Sequence, residues 1–174
     1  MDIIDRTIAR EGGFVDHPED PGGATNMGIT RRTLGDYLGR EATVAEVRDL
    51  TRARARAIYH EMYMERPGFA GIDDPWLREL LFDAGVLLGP GRPVRWLQEA
   101  AGVAVDGVLG PNTRDAANAG DPARLGLAVA VAWLRHHGER VQSGASSHAF
   151  IGGWINRVTA HLQEMPGPRV AATV

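Results

Sequence analysis

The stretch Trp76–Leu88 constrains the fold more than any other. It places apolar side chains nearly all the way round a helix: Trp76, Leu77, Leu80, Leu81, Phe82, Ala84, Val86, Leu87 and Leu88. Such a helix has no face to offer water, so other elements must sheathe it. Asp73 or Asp74 caps it, Pro75 stands at a first-turn position, and Gly89-Pro90-Gly91 breaks the chain after it. Asp83 is the one polar side chain between Leu80 and Leu88. Burying a carboxylate costs several kcal/mol unless it is hydrogen-bonded or paired, so Asp83 requires a partner. Two readings stand for it: a structural bond to backbone or an arginine, or support and substrate contact at a cleft.

The rest of the chain supplies the sheath. Ile3, Ile4, Ile8 and Ala9 give a helical period from Asp2 to about Arg10, which Gly12-Gly13 stops. Residues 14–30 hold Pro18, Pro21, Gly22 and Gly23 and read as loop or short hairpin, with a short strand over Ala24 to Ile29. Thr30 caps a helix through Leu38, and Thr43 caps one over Val44, Val47 and Leu50. Thr51 starts another, with Ala55, Ile58, Tyr59, Met62 and Tyr63 on one face, ended by Pro67-Gly68. Tyr59 and Tyr63 read as core. Beyond the central helix, one helix runs from Pro93 to about Ala101, Asp106-Gly107 marks a tight turn, and Pro111 opens a short helix. Asp121-Pro122 opens a longer helix through His136. Residues 143–147 are loop, the last helix spans about Phe150 to Glu164, and a disordered tail follows over 165–174. No solenoid repeat is visible. The expected fold is mainly α with a small N-terminal β or loop excursion.

Composition removes several classes. A net charge of −3 on 174 residues offers no basic surface for nucleic acid. There are no cysteines, so disulfides, thiolate metal sites and thiol catalysis are excluded. The apolar runs Leu80–Leu88 and Leu125–Leu134 fall far short of the ~20 residues that span a bilayer, so no stable membrane insertion is expected. His136 and His137 are adjacent and point to different helix faces, and no His-Glu-x-x-His pattern exists. Neither a metal nor a cofactor is expected, and no nucleophile elbow or phosphate-binding glycine loop is present. All 19 basic residues are arginine, which fits a codon-composition bias.

The chemistry concentrates between Glu11 and Thr30. Glu11 ends the first helix between Ile8 and Phe14, and Gly12-Gly13 permit close approach of backbone or substrate. A carboxyl at a helix end beside apolar side chains suits a general acid of glycoside hydrolysis. Asp20 lies on a loop that the glycines can fold back toward Glu11, and the Thr25 hydroxyl suits holding a water. Plainer readings fit the same residues: a solvated helix end for Glu11, a turn residue before Pro21 for Asp20, and a strand position for Thr25.

Glu11-Gly12-Gly13-Phe14, followed by Asp20-Pro21-Gly22-Gly23-Ala24-Thr25-Asn26-Met27-Gly28-Ile29-Thr30, resembles the signature of glycoside hydrolase family 108. These are N-acetylmuramidases of phage endolysins, gene-transfer-agent lysis modules and secretion-associated hydrolases. Where that family often has an aromatic, this chain has Met27. Phe82-Asp83-Ala84-Gly85-Val86 resembles the family's central helix. Trp96-Leu97-Gln98 with Val105-Asp106-Gly107-Val108-Leu109-Gly110-Pro111-Asn112-Thr113 resembles its peptidoglycan-binding subdomain, and Phe150, Gly153-Trp154 and Arg157 its closing helix. The resemblance covers about residues 3 to 162. It implies a lysozyme-like helical region over 2–90 and a peptidoglycan-binding subdomain over 91–164.

The resemblance also implies that Glu11 is the general acid. The Glu, Asp, Thr order is similar to phage-type lysozyme, with Thr25 one position closer to Asp20. That similarity assigns Asp20 and Thr25 to the water. Asn26, Asp83 and Trp154 are the expected substrate contacts, although a tryptophan on a last helix also suits a core. The expected activity is hydrolysis of the β-1,4 bond between N-acetylmuramic acid and N-acetylglucosamine by a monomer. Lytic transglycosylase chemistry and a non-catalytic wall-binding or virion protein are the alternatives. The N-terminus lacks the layout of a secretory signal, so access to the periplasm or wall is expected through a holin-like pore or an export route.

Overall fold

The computed structural model describes residues 2–16, 23–144 and 151–167. The described chain is mainly α with one two-stranded sheet, as the periodicities require. It groups into two compact units that divide between Arg66 and Pro67. Phe150, the loop from residue 145 and the tail from residue 168 lie outside the described residues.

In the first unit, helix α1 (Ile3–Glu11) begins where the Asp2 carboxylate accepts from the Asp5 amide at 2.9 Å, and ends at Gly12. Its buried stripe of Ile3, Ile4, Thr7 and Ile8 packs on α4 (Arg52–His60), which buries Ala55, Ile58 and Tyr59. Arg56 pairs with Asp2 at 2.6 Å and Asp5 at 2.7 Å, which fixes the outer edge of the same helix pair. The short hairpin expected within residues 14–30 is present, and it divides the strand expected over 24–29 into two. Strand β1 (Thr25–Asn26) pairs antiparallel with β2 (Ile29–Thr30) across a two-residue turn, Met27-Gly28. Both turn residues have positive φ, +50° and +75°, the backbone that a two-residue hairpin needs.

Thr30 then caps α2 (Arg31–Leu38) through its hydroxyl, which accepts from the Thr33 amide at 3.1 Å. Thr43 and Glu46 form a reciprocal capping box on α3 (Val44–Arg48). α4 does not continue to Tyr63 as an α-helix. Glu61–Glu65 form a π turn, closed by the Arg66 amide on the Glu61 carbonyl at 2.9 Å. The wider turn shifts the inward register by one place, so Met64 is buried where the α period pointed to Tyr63, which is only half-buried.

In the second unit, a 3-10 turn (Phe69–Gly71) leads to α5 (Pro75–Leu88). Asp74, the second of the two candidate caps, accepts from the Leu77 amide at 2.8 Å. α5 is buried on all sides from Trp76 to Gly85 apart from Arg78 and Glu79, and opens only in its last turn, where Leu87 is exposed. α6 (Gly91–Ala101) and α8 (Pro122–Gln142) pack on α5 and on each other, α7 (Pro111–Ala119) lies on α6 and α8, and α9 (Ile151–Gln163) lies on α8. The Trp76 indole fills the space that a β-carbon at Gly126 would take, which lets α5 and α8 cross closely. α6 starts two residues before the expected Pro93. Pro93 still fits, because first-turn amides have no partner inside the helix.

Candidate active site

Glu11 is the last residue of α1 and is exposed. Three local features fix its surroundings. Gly12 takes φ +76°, turning the chain sharply away from the helix axis. Val15 and Thr25 then exchange two backbone hydrogen bonds, each 2.8 Å. That bridge ties both ends of the intervening loop to one point, four residues beyond Glu11. The Met27-Gly28 turn, in its turn, lies directly against the glutamate. A β-carbon at Gly28 would stand 2.8 Å from Glu11 Cγ and 2.9 Å from its Cβ, and would strike the Tyr59 hydroxyl. Only a glycine allows this approach.

Tyr59 does more than fill the core. Its ring is buried, but its hydroxyl donates to the Met27 carbonyl at 3.1 Å and so pins the hairpin turn beside Glu11. The helical period located the ring and gave no hint of the hydroxyl's target, which lies 32 residues away in sequence. The apolar flank expected around Glu11 is only partly present. Ile8 is buried, whereas Phe14 is half-buried with the Arg48 guanidinium 5.0 Å over its ring.

Thr25 is half-buried on β1, and its hydroxyl donates to the Gly23 carbonyl at 3.3 Å. With its proton so directed, the oxygen's lone pairs are the side available to a water. Asp20 lies outside the described residues. Asn26 is buried, and its amide nitrogen donates to the Val47 and Arg48 carbonyls, each at 3.0 Å. It thereby anchors the hairpin to the end of α3. Glu11, Thr25 and Asn26 thus sit on adjoining elements of the first unit.

Asp83 and Trp154 belong to the second unit. Asp83 is fully buried on α5. Arg157 grips both its oxygens, at 2.8 and 2.6 Å, and His161 Nε2 lies 3.0 Å from Oδ2. Burial pushes the carboxyl up, but the hydrogen bonds from His161 and Arg157 outweigh it and hold the group well below the usual carboxylate range. The expected contact with substrate is therefore replaced by a sealed polar cluster, because no part of Asp83 reaches solvent. His161 also accepts the Trp76 indole N–H on its backbone carbonyl at 2.7 Å, so α5 and α9 are joined twice. Trp154 stacks on the buried His137 ring, with centroids 4.2 Å apart and planes 8° from parallel. One indole face is thus covered by protein.

The family model described as Glycosyl hydrolase 108 matches residues 4–89, and the one described as Predicted Peptidoglycan domain matches residues 92–159. Among solved structures, SagA of Brucella abortus is 34% identical. The match covers 93% of this chain and 90% of that chain, with a TM-score of 0.76. No curated protein sequence matches.

Proposed function

The chain belongs to the glycosyl hydrolase 108 family, and on that premise we propose that it is an N-acetylmuramidase with Glu11 as its general acid. At the coarser level it is a glycoside hydrolase acting on peptidoglycan, which the peptidoglycan domain match over residues 92–159 also supports. The observation that carries the finer reading is the placement of Glu11. It ends α1 within the hydrolase match, and a glycine-tipped turn held by Tyr59 presses on its side-chain stem.

In the proposed reaction, Glu11 donates its proton to the glycosidic oxygen as the bond from that oxygen to the anomeric carbon of N-acetylmuramic acid breaks. A water attacks the same carbon from the opposite face, with inversion. The Thr25 oxygen accepts one hydrogen of that water, and Asp20 takes the proton released. The products are a strand ending in reducing N-acetylmuramic acid and one beginning with N-acetylglucosamine. The reaction runs at the cell wall or periplasm, after release by a holin-like pore or an export route, as in an endolysin that lyses the cell.

The test is product analysis on purified peptidoglycan, comparing the native protein with Glu11→Gln. The native protein is expected to yield muropeptides with reducing N-acetylmuramic acid, and the variant to fold normally with a loss of about 10²–10⁴-fold in rate. Products ending in a 1,6-anhydro sugar would replace hydrolysis with transglycosylation. Full activity in the variant would remove Glu11 from the role given to it.

A further inference from the structure

A groove of about 970 Å³ in the first unit gathers four arginines, Arg31, Arg32, Arg40 and Arg66, against two acidic residues, Asp36 and Glu41, on a chain whose net charge is −3. Two of them are held by the wall. Arg40 pairs with Glu46 at 2.6 Å, and Arg66 bonds Glu61 at 3.1 Å. Arg31 and Arg32 differ. Both are exposed, and among the described residues neither guanidinium has a partner. They occupy the first two positions of α2, where the aligned peptide dipoles oppose positive charge, and no acidic residue stands in that turn to offset them. Their position therefore costs stability, and among the described residues no hydrogen bond or ion pair of either guanidinium offsets that cost. Residues that break a local rule without an internal return are candidates for ligand contact.

The groove adjoins the candidate site within the same unit. Its wall includes Gly23, the residue whose carbonyl accepts the Thr25 hydroxyl. The lining also takes in Met62 of the π turn and Arg66, whose amide closes that turn. Two free planar guanidinium groups beside a fixed wall suit carboxylates, which arginine binds with two parallel N–H donors. In peptidoglycan the glycan chain itself is neutral, and the carboxylates lie on the stem peptide. That peptide hangs from the lactyl group of N-acetylmuramic acid, the sugar whose anomeric carbon is attacked. A surface just beyond the site therefore meets the peptide before any other charged part of the polymer.

We infer that the Arg31–Arg32 groove receives the carboxylates of the stem peptide, so that the enzyme selects peptide-bearing strands over stripped glycan. This rests on the muramidase reading above. The test compares the native protein with an Arg31→Gln/Arg32→Gln double variant on two substrates: soluble glycan strands with stem peptides, and the same strands stripped by an amidase, with the lactyl carboxylate that this exposes capped as its methyl amide. The native protein is expected to favour peptide-bearing strands through KM. In the variant the ratio of kcat/KM between the two substrates is expected to fall about tenfold, a typical loss for charge-assisted hydrogen bonds. An unchanged ratio overturns the inference.

A second measurement uses the free stem tetrapeptide, titrated into the full chain and followed by amide chemical shifts. Shifts are expected at residues 31–40, weakened by salt and by the double substitution. Glycan cleavage with no arginine-dependent tetrapeptide binding sinks the groove. Arginine-dependent binding with no cleavage of either strand by the native protein leaves the groove standing and sinks the muramidase.

Discussion

At the scale of single residues, the site depends on Gly28 as much as on Glu11. The glutamate could be found from its motif, and so could the glycine, but the reason for the glycine could not. It is a contact between the hairpin turn, the end of α1 and a tyrosine on α4, three segments that meet only in the folded unit. Gly28→Ala puts a methyl group against Glu11 and the Tyr59 hydroxyl at φ +75°. It is expected to cost about 2–4 kcal/mol, from the positive φ and the overpacking together. Activity at permissive temperature should drop further than stability accounts for, because displacement of an acid by about 1 Å can cost 10²-fold. Urea unfolding alongside rate measurements separates the two; a variant with native stability and native rate would refute the close approach. Thr25 and Asn26 show the other side of residue-scale reading. Their backbone places are set by a two-residue hairpin, which the loop-rich stretch suggests without locating its Met27-Gly28 turn. A Met-Gly pair is a weak hairpin signal beside Asn-Gly or Asp-Gly.

At the scale of elements, caps were legible and long-range ties were not. Thr30, Thr43, Asp74 and Asp121 each accept from a first-turn amide, as a side-chain oxygen ahead of a helical period should. The Asp106-Gly107 turn was also legible, with Gly107 at φ +80°. What holds that turn was not. Gln98 of α6 is fully buried. Its amide nitrogen reaches Asp106 at 2.7 Å, the Val108 carbonyl at 3.0 Å and Thr113 at 3.1 Å, while its oxygen accepts from the Gly107 amide at 2.8 Å. One side chain thus joins α6, the turn and the start of α7. Gln98→Ala strands several buried polar groups at once and is expected to destabilise by about 2–4 kcal/mol. Thermal unfolding checks this, with Gln98→Glu as a second variant that keeps the shape but loses the amide donors; a shift near zero in both would deny the hub. The π turn escaped for a related reason. The run from Thr51 to Tyr63 has an acceptable α period, and only packing around Tyr59 and Met64 decides where it widens.

At the scale of the whole molecule, stability should fall in acid with a defined sign. Burial and the neighbouring charges of His136, Arg140 and Arg157 push His137 down to about 4. Its Nε2 accepts the Trp133 indole N–H at 2.8 Å, which requires the neutral ring. The unfolded chain binds a proton at about 6.5, the folded chain only near 4, so between these values the unfolded state holds more protons and stability rises with pH. Lowering the pH from 7 to 4 is expected to remove on the order of 2 kcal/mol through this residue. Asp83 adds a loss of the same sign further down, as pH falls below the usual carboxylate range. Denaturant unfolding at pH 7, 5.5 and 4 measures the slope, and His137→Gln should flatten its upper part; an equal slope in that variant would dismiss the histidine.

The helices, their caps, the buried central helix, the need of Asp83 for a partner and the motif around Glu11 can all be read from the order of residues. Those properties follow from local periodicity, local hydrogen bonding and the cost of a lone buried charge. That Arg157 and His161 supply that partner, that Tyr59 pins the turn beside Glu11, and that Gln98 ties three elements follows only from the folded chain. These are contacts between residues 8 to 78 positions apart, and a one-dimensional pattern carries no record of which separated groups will meet.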